Sequence, residues 1–493
     1  MIEIYTRDEM QGIDRELEKQ LILSQVIERA GFGVAIFATR ILGSCYGKRI
    51  VVIIGKGNNG RDGSIAANYL RSWGAKVDII AYSQGNNLEI PNCDLVIDAV
   101  FGSGFRGTFS GITYQGDAKV LAVDLVSGLD CDTGEVKGNV RPADFTLGMA
   151  GAKLGYFLGD GVGISGETYL YDLGLDLVTQ SKAHLVFPDD VAMGNDKDYQ
   201  SHKWKSGVAV FAGSPNMAGA ALLVSAAAMR SGAGIVHLFS DASSFGIQTS
   251  DPEVVLADAL YLEDSVNDWQ RRLGRFKAVV VGPGLSSQSG DILSRILKSY
   301  YGPIVIDADA ITAISKEPEL IDQLSLSGRK VILTPHAAEL ERLSVALGFR
   351  PTHKGLTQLA SNHNLFLLVK GFPTRLYTPN GHLYVLPSNP STLATAGTGD
   401  VLAGVIAGSI ARWGASDMVI CHGITIHAIA AKLNLDPGMV AYDVVRKIPS
   451  ARQMVESWPK GSPTKPFWPL QTSGPLLFAS DSKINWGSQW AQS

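Results

Sequence analysis

Five consecutive β-branched residues, Ile50-Val51-Val52-Ile53-Ile54, stop abruptly at Gly55-Lys56-Gly57-Asn58-Asn59-Gly60-Arg61-Asp62-Gly63. A strand with one wet face alternates apolar and polar residues. An unbroken run is buried on both faces, the habit of a central strand in a parallel sheet covered by helices. Ile65–Trp73 reads as the next helix, so the segment spells strand, Gly-rich loop, helix, the order found at dinucleotide sites of α/β sheets. The glycine spacing is not that of the usual dinucleotide fingerprint. Asn58, Asn59 and Asp62 add amides and a carboxylate to the loop. A ligand-free Gly/Asn turn is the other reading of the same residues.

The pattern recurs through the first half. Thr6 precedes a helical pattern carrying Asp8, Glu9 and Asp14, and a second helix follows over Leu21–Leu42. Val77–Ala81, Asp94–Val100 and Lys119–Val123 read as strands. The second leads into Phe101-Gly102-Ser103-Gly104-Phe105-Arg106-Gly107-Thr108, the third into Asp124-Leu125-Val126-Ser127-Gly128-Leu129-Asp130. Ligands of open α/β sheets bind beyond the carboxyl ends of strands. Asn58, Asn59, Asp98, the loop Gly102–Thr108, Asp124 and Ser127 are therefore predicted to converge. Asn59, Asp98 and Ser127 also form an oxygen set able to hold a hard cation.

The second half repeats the alternation. Gly207–Phe211 closes in Ala212-Gly213-Ser214, and Asn216–Ala220 leads into the small apolar helix Ala221–Met229. Lys277–Val281 runs into Gly282-Pro283-Gly284-Leu285, and Pro303–Ile306 into Asp307-Ala308-Asp309. Lys330–Leu333 runs into Thr334-Pro335-His336 with Glu339, and Leu365–Val369 into Lys370-Gly371-Phe372-Pro373-Thr374. Near the end, Thr395-Ala396-Gly397-Thr398-Gly399-Asp400 enters an apolar helix, with a last helix from about Ser416 to Leu433. Gly397 and Gly399 let backbone N–H groups close on an anion at the positive end of that helix. Asp400 has two readings: an N-terminal cap, or a base taking the proton of a hydroxyl being phosphorylated. His336 is a ligand contact or a turn cap, and Lys370 a phosphate partner or a solvated strand-end charge. His422 and His427 read as structural. No Gly-x-x-x-x-Gly-Lys-Ser/Thr occurs, which excludes a P-loop NTPase.

Composition narrows the classes. Of 493 residues 45% are apolar and 18% charged, as in core-forming globular proteins, and the length allows about three domains. The net charge of −4 and the lack of a Lys/Arg block argue against nucleic acid as a partner. Cys45, Cys93, Cys131 and Cys421 are far apart, which predicts reduced thiols and a cytoplasmic protein. The amino terminus does not look like a signal peptide, and the longest apolar run, Ala218–Met229, is too short to span a bilayer. From Trp458 on, Pro, Ser and Trp occur without periodicity, as in an appended, disordered tail or a segment that docks on a surface.

The first-half motifs, from about Ile4 to about Gly174, resemble the NAD(P)H-hydrate epimerase domain. The resemblance implies that Asn58, Asn59, Gly60, Arg61, Asp62, Gly102, Ser103, Gly104, Phe105, Arg106, Gly107, Thr108 and Asp124 contact a hydrated dinucleotide. It implies potassium on Asn59, Asp98 and Ser127, and Asp124 as proton carrier. Arg61 stands where the family usually has Gly, and Val126 where it usually has Pro. Lys153 lies in a family-like Gly-Ala-Lys-Leu-Gly segment. The second half, about Ala183–Val455, resembles the ribokinase-like ADP/ATP-dependent NAD(P)H-hydrate dehydratases. That implies Ala220, Gly284, His336 and Asp400 facing the hydrated nucleotide, with Lys370, Gly371, Phe372, Pro373, Thr374 and Gly399 holding an adenine nucleotide.

The expectation is an α/β protein of two doubly wound three-layer domains, Rossmann-like over 1–184 and ribokinase-like over 185–457, with a tail over 458–493. Its expected activity is epimerisation of the R and S hydrates NAD(P)HX and dehydration of the S form using ADP and magnesium. Expected partners are NAD(P)HX, an adenine nucleotide and further copies of the chain, with no nucleic acid or membrane. The alternative is a ribokinase-like kinase of a small alcohol fused to a non-catalytic Rossmann-like binding module.

Overall fold

The computed structural model describes residues 1–458, except 21, 86–88, 115, 172, 176–179, 195–201, 241–251, 258–261, 326–327, 388–389 and 435–436, and also the pair Trp468–Pro469. The chain divides into two compact units, one built on Ile2–Leu185 and one beginning at Val186.

In the first unit, helices α1 (Arg7–Lys19) and α2 (Leu23–Leu42) precede strand β1 (Arg49–Ile54). Thr6 caps α1 with Glu9 in a reciprocal capping box, which satisfies two N–H groups left free at the helix start. Helix α3 (Asn58–Ser72) follows, then β2 (Lys76–Ala81), β3 (Leu95–Ala99), β4 (Lys119–Val123), β5 (Phe145–Met149) and β6 (Glu167–Tyr171). The sheet order is β6-β5-β4-β3-β1-β2, all parallel, with Trp468–Pro469 antiparallel on the β6 edge. Ile50, Val51, Val52 and Ile53 are fully buried, as their unbroken run requires. The chain winds from β1 outward to β2, then reverses through β3. That reversal leaves a crevice between the ends of β1 and β3.

The sequence placed a loop over Gly55–Gly63 and a helix from Ile65; the helix in fact starts at Asn58. Glycine explains the difference. A Cβ on Gly60 would lie 2.0 Å from the Gly55 carbonyl oxygen, and one on Gly63 would lie 2.6 Å from the Ala99 Cβ. Without side chains there, the first turns of α3 ride directly on the ends of β1 and β3.

The second unit begins with β7 (Gly207–Phe211), α4 (Ala218–Ser231), β8 (Ile235–Phe239) and β9 (Val254–Leu256). It continues through β10 (Ala278–Val281), β11 (Ile304–Ile306), β12 (Val331–Leu333), α5 (Ala337–Leu347) and β13 (Leu365–Val369). The antiparallel pair β14 (Thr374–Tyr377) and β15 (Leu383–Leu386) precedes α6 (Thr398–Trp413), α7 (Asp417–Lys432) and α8 (Ala441–Glu456). The order is β9-β8-β7-β10-β11-β12-β13-β14-β15, parallel as far as β13. The winding reverses between β7 and β10, so the crevice rule selects the turns after those strands. Helix α8 was not predicted, because Pro449 lies inside it and breaks the pattern a helix is read from. The tail expected from Trp458 lies outside the described residues, except for Trp458 itself and the edge strand Trp468–Pro469; most of the polar stretch before His202 lies outside them too.

Helix α6 packs on α4 backbone to backbone. A Cβ on Gly404 would sit 2.3 Å from the Val224 carbonyl oxygen, and one on Gly408 2.4 Å from that of Ala228. We expect Gly404→Leu to destabilise the chain by about 3 kcal/mol in urea unfolding, since overpacking against rigid backbone forces helices apart. An unchanged midpoint would contradict this packing.

Candidate active sites

Asp124 is the hub of the first crevice. It follows β4 with φ of 65°, a left-handed conformation unusual for a residue with a side chain, and its N–H donates to the Leu147 carbonyl (2.8 Å). Its Oδ2 accepts the Ser103 N–H (3.0 Å); its Oδ1 accepts the Met149 N–H (3.3 Å) and meets the Lys153 ammonium. Lys153 is fully buried and also donates to the carbonyls of Met149 (2.6 Å) and Gly151 (2.9 Å). The Tyr156 hydroxyl donates to the Asp124 carbonyl. Gly102 lets the loop after β3 close here, because a Cβ would lie 2.7 Å from Asp124 Oδ2.

Beside this hub, Asp98 and Ser127 form one unit. The Ser127 hydroxyl donates to Asp98 Oδ1 (2.7 Å), its N–H to Oδ2 (3.0 Å), and it accepts the Phe101 N–H (3.0 Å). Burial raises the Asp98 pKa in spite of these bonds. Asn59 lies in the first turn of α3, and both atoms of its amide are buried with no hydrogen-bond partner among the described residues. Asp62, one turn on, is equally buried, and its Oδ1 also lacks a partner. Asn58 and Ser103 are half-buried and Phe105 is buried, while Arg61, Gly104, Arg106, Gly107 and Thr108 are exposed. β1 and β3 are neighbours, with Ile53 opposite Asp98, so the α3 start and Asp98 belong to adjoining strand ends.

The second crevice is organised by Lys370, at the end of β13. Its Nζ is 2.7 Å from Asp307 Oδ1 and 3.8 Å from Glu339 Oε2. Burial opposes its charge, but Asp307 and Glu339 outweigh that and hold its pKa above the usual lysine value. A Cβ on Gly399 would lie only 3.4 Å from the same Nζ, so the ammonium lies against the first turn of α6. Gly397 begins that turn with φ of 88°, and the Thr398 carbonyl is 3.0 Å from His427 Nε2. Asp400 is in the same turn. Burial, then Asp307, pushes its pKa up to about 6, with Lys370 partly opposing.

His336 both caps and contacts. Its Nδ1 accepts the Ala338 N–H (3.2 Å), its N–H donates to Glu339 Oε2 (2.9 Å), and its Nε2 is 3.4 Å from Glu339 Oε1. At the reversal point, Gly284 lies against Met217 and Ala220, a Cβ there being 3.2 Å from that of Ala220. Gly282 abuts the Asp307 carbonyl. Gly371 and Phe372 are exposed at the rim, joined by a cis peptide to buried Pro373 and then Thr374, whose hydroxyl donates to Gly371 O (3.1 Å).

Comparison with known proteins gives the same division. A family model described as NAD(P)H-hydrate dehydratase matches residues 208–450, and one described as YjeF-related protein N-terminus matches residues 23–90 and 81–155. The chain is 27% identical to the bifunctional NAD(P)H-hydrate repair enzyme Nnr of Moorella thermoacetica, over 92% of this chain and 97% of that protein. To the enzyme of the same description from Mycobacterium leprae it is 30% identical, over 86% of this chain and 93% of the relative. The chain belongs to the family of bifunctional NAD(P)H-hydrate repair enzymes. A solved ribokinase-like superfamily protein from Enterococcus faecalis aligns at 20% identity and a TM-score of 0.48, over 57% of this chain and 99% of that one.

For a bifunctional NAD(P)H-hydrate repair enzyme, sequence reasoning named the strand ends but missed some of what lies between them. Asp307 and Glu339 flank Lys370, which is no solvated charge. Lys153 was noted without a role, and Asp14 was read as a helix-start charge. Yet Asp14 shares its surroundings with Asp124 and Lys153, and burial, then Asp124, raises its pKa. Only Asp307 carried a usable signal, as a strand-end carboxylate. The ion pair between Lys153 and Asp124 is testable. Lys153→Met leaves Asp124 nearly buried without its cation, and we expect a loss of about 3–5 kcal/mol in urea unfolding. A loss under about 1 kcal/mol would show that this pair holds nothing together.

Proposed function

We propose that the first unit exchanges the R and S epimers of NAD(P)HX and the second dehydrates the S epimer to NAD(P)H with an adenine nucleotide as phosphoryl donor. Family membership supports both activities. The observation that carries the second is the convergence at the start of α6: a half-buried lysine lies against a helix start that has no side-chain cap and carries a carboxylate in its first turn. The cation and the N–H groups suit a phosphoryl group in transit. Asp400 suits the C6 hydroxyl proton, which leaves as that oxygen takes the phosphoryl group; loss of phosphate then restores the ring double bond. Lys370–Thr374 and Gly399 would hold the nucleotide, while Ala220, Gly284, His336 and Asp400 would face the hydrated ring.

Magnesium would shield the charge of the transferring phosphate. No cluster of three or more metal-ligating side chains occurs among the described residues. Asp307 and Glu339, sharing Lys370, supply two oxygen donors, which fits an ion held mainly by phosphate and water. ADP is the proposed donor. In the first unit, the unpartnered Asn59 amide and the buried Asp98–Ser127 pair fit a potassium ion. Asp124, reached by both loops, would carry protons. Four cysteines without disulfides support a cytoplasmic setting, and no single helix among the described residues is long and apolar enough to cross a membrane.

Two outcomes are expected. Asp400→Asn should still bind nucleotide in calorimetry but lose at least about 100-fold in the rate at which nicotinamide absorbance returns from S-NADHX and ADP. Normal turnover would end the base assignment. Because burial and Asp307 raise the Asp400 pKa to about 6, it is ionised above that value and protonated below it. kcat/KM for S-NADHX should therefore fall on the acid side with a midpoint near 6, a limb absent from Asp400→Asn.

A further inference from the structure

Two carboxylates of the first unit stand in opposite environments. Asp124 is saturated, with the Ser103 and Met149 N–H groups and the Lys153 ammonium on its oxygens. Asp62 is 7% exposed and its Oδ1 has neither a hydrogen-bond partner among the described residues nor access to water. It projects from α3 one turn beyond Asn59, whose amide is likewise buried and unpartnered. Such atoms are costly unless a ligand or a proton satisfies them. The charged groups facing Asp62 are Asp124 and Asp14, which oppose its ionisation, and Arg61 and Lys153, which favour it. Burial is the largest influence and leaves its pKa well above the carboxylate range. Neighbouring carboxyl groups in such unlike surroundings take the acid and base roles of one reaction.

We infer that Asp62 is the general acid of the epimerase crevice, working against Asp124 as its base. This rests on the epimerase reading above and deepens it. Asp62 gives its proton to the C6 hydroxyl as the C6–O bond breaks, and water departs. The N1 lone pair forms the N1=C6 iminium. A water then attacks the other face of C6; its O–C6 bond forms, the iminium pair returns to N1, and the surplus proton passes to Asp124. Solvent moves that proton back to Asp62, and the reverse conversion exchanges the two roles. No oxidant or further reactant is required.

The full-length enzyme tests this in two ways. Infrared difference spectra between wild type and Asp62→Asn at neutral pH should contain the carbonyl stretch of a protonated carboxylic acid that the variant lacks; no such band means that Asp62 is ionised and the proposal is wrong. Epimer exchange, followed by chromatography of R- and S-NADHX without nucleotide, should be bell-shaped in pH for wild type, since one carboxyl must be protonated and the other ionised. Asp62→Asn should exchange at least about 100-fold more slowly, with the alkaline limb gone. Exchange at the wild-type rate overturns the assignment. Dehydration of pure S-NADHX with ADP in the same preparation reports that the second unit of the variant is folded, and urea unfolding at the wild-type midpoints reports the same of the first. Should wild type itself exchange no epimers, the epimerase reading fails, while the infrared band still decides the protonation of Asp62.

Discussion

A lysine withdrawn from water and tied to an aspartate beyond a strand end anchors each unit: fully buried Lys153 with Asp124, half-buried Lys370 with Asp307. Removing either charge from water costs several kcal/mol, and only the partner charge and further hydrogen bonds offset it. Lys153 adds two backbone carbonyls, and Lys370 adds Glu339. Neither pair can be moved without stranding a charge, so the loops that carry them are fixed as firmly as the strands. The consequence in the first unit is a carboxylate held in place by donors from three segments. In the second it is an ammonium held against the opening turn of α6.

The parallel strands were legible because burial on both faces leaves runs such as Ile50–Ile54 and Leu365–Val369 with no alternation to confuse with a helix. The convergence of their ends followed from topology alone. What escaped was decided by contacts with no local trace. The early start of α3 depends on two glycines lying against β1 and β3, and α8 hides behind Pro449. Glu339 looked like half of a capping box, which it is, yet its carboxylate also reaches Lys370. Asp62 appeared as one polar residue in a Gly/Asn loop. Only its placement within α3 reveals a carboxyl oxygen cut off from water.

The two crevices share an architecture and differ in electrostatics. The first lies where the direction of strand addition reverses and the second is centred on the ends of β11, β12 and β13, and both set the start of a helix beside acidic strand ends. In the first, that helix begins with an Asn amide and continues to a buried carboxyl oxygen without a partner, which suits the proton transfers and the cation proposed above. In the second, it begins with glycine and lies under an ammonium, an arrangement for a travelling phosphate. On the reading proposed above, one scaffold serves water exchange in one half and phosphoryl transfer in the other, through the side chains at the start of a single helix.

The strand Trp468–Pro469 lies antiparallel on Tyr169 and Leu170, at the rim of the first sheet. Residues that follow the second unit therefore close an edge laid down before it. During synthesis the ribosome delivers that closing piece only after the whole second unit has emerged. Until then β6 offers its free backbone groups to any neighbour, the situation in which strands pair wrongly or recruit another chain. Completion of this sheet edge is thereby tied to translation beyond the second unit, and a product ended before Trp468 carries an unsealed sheet.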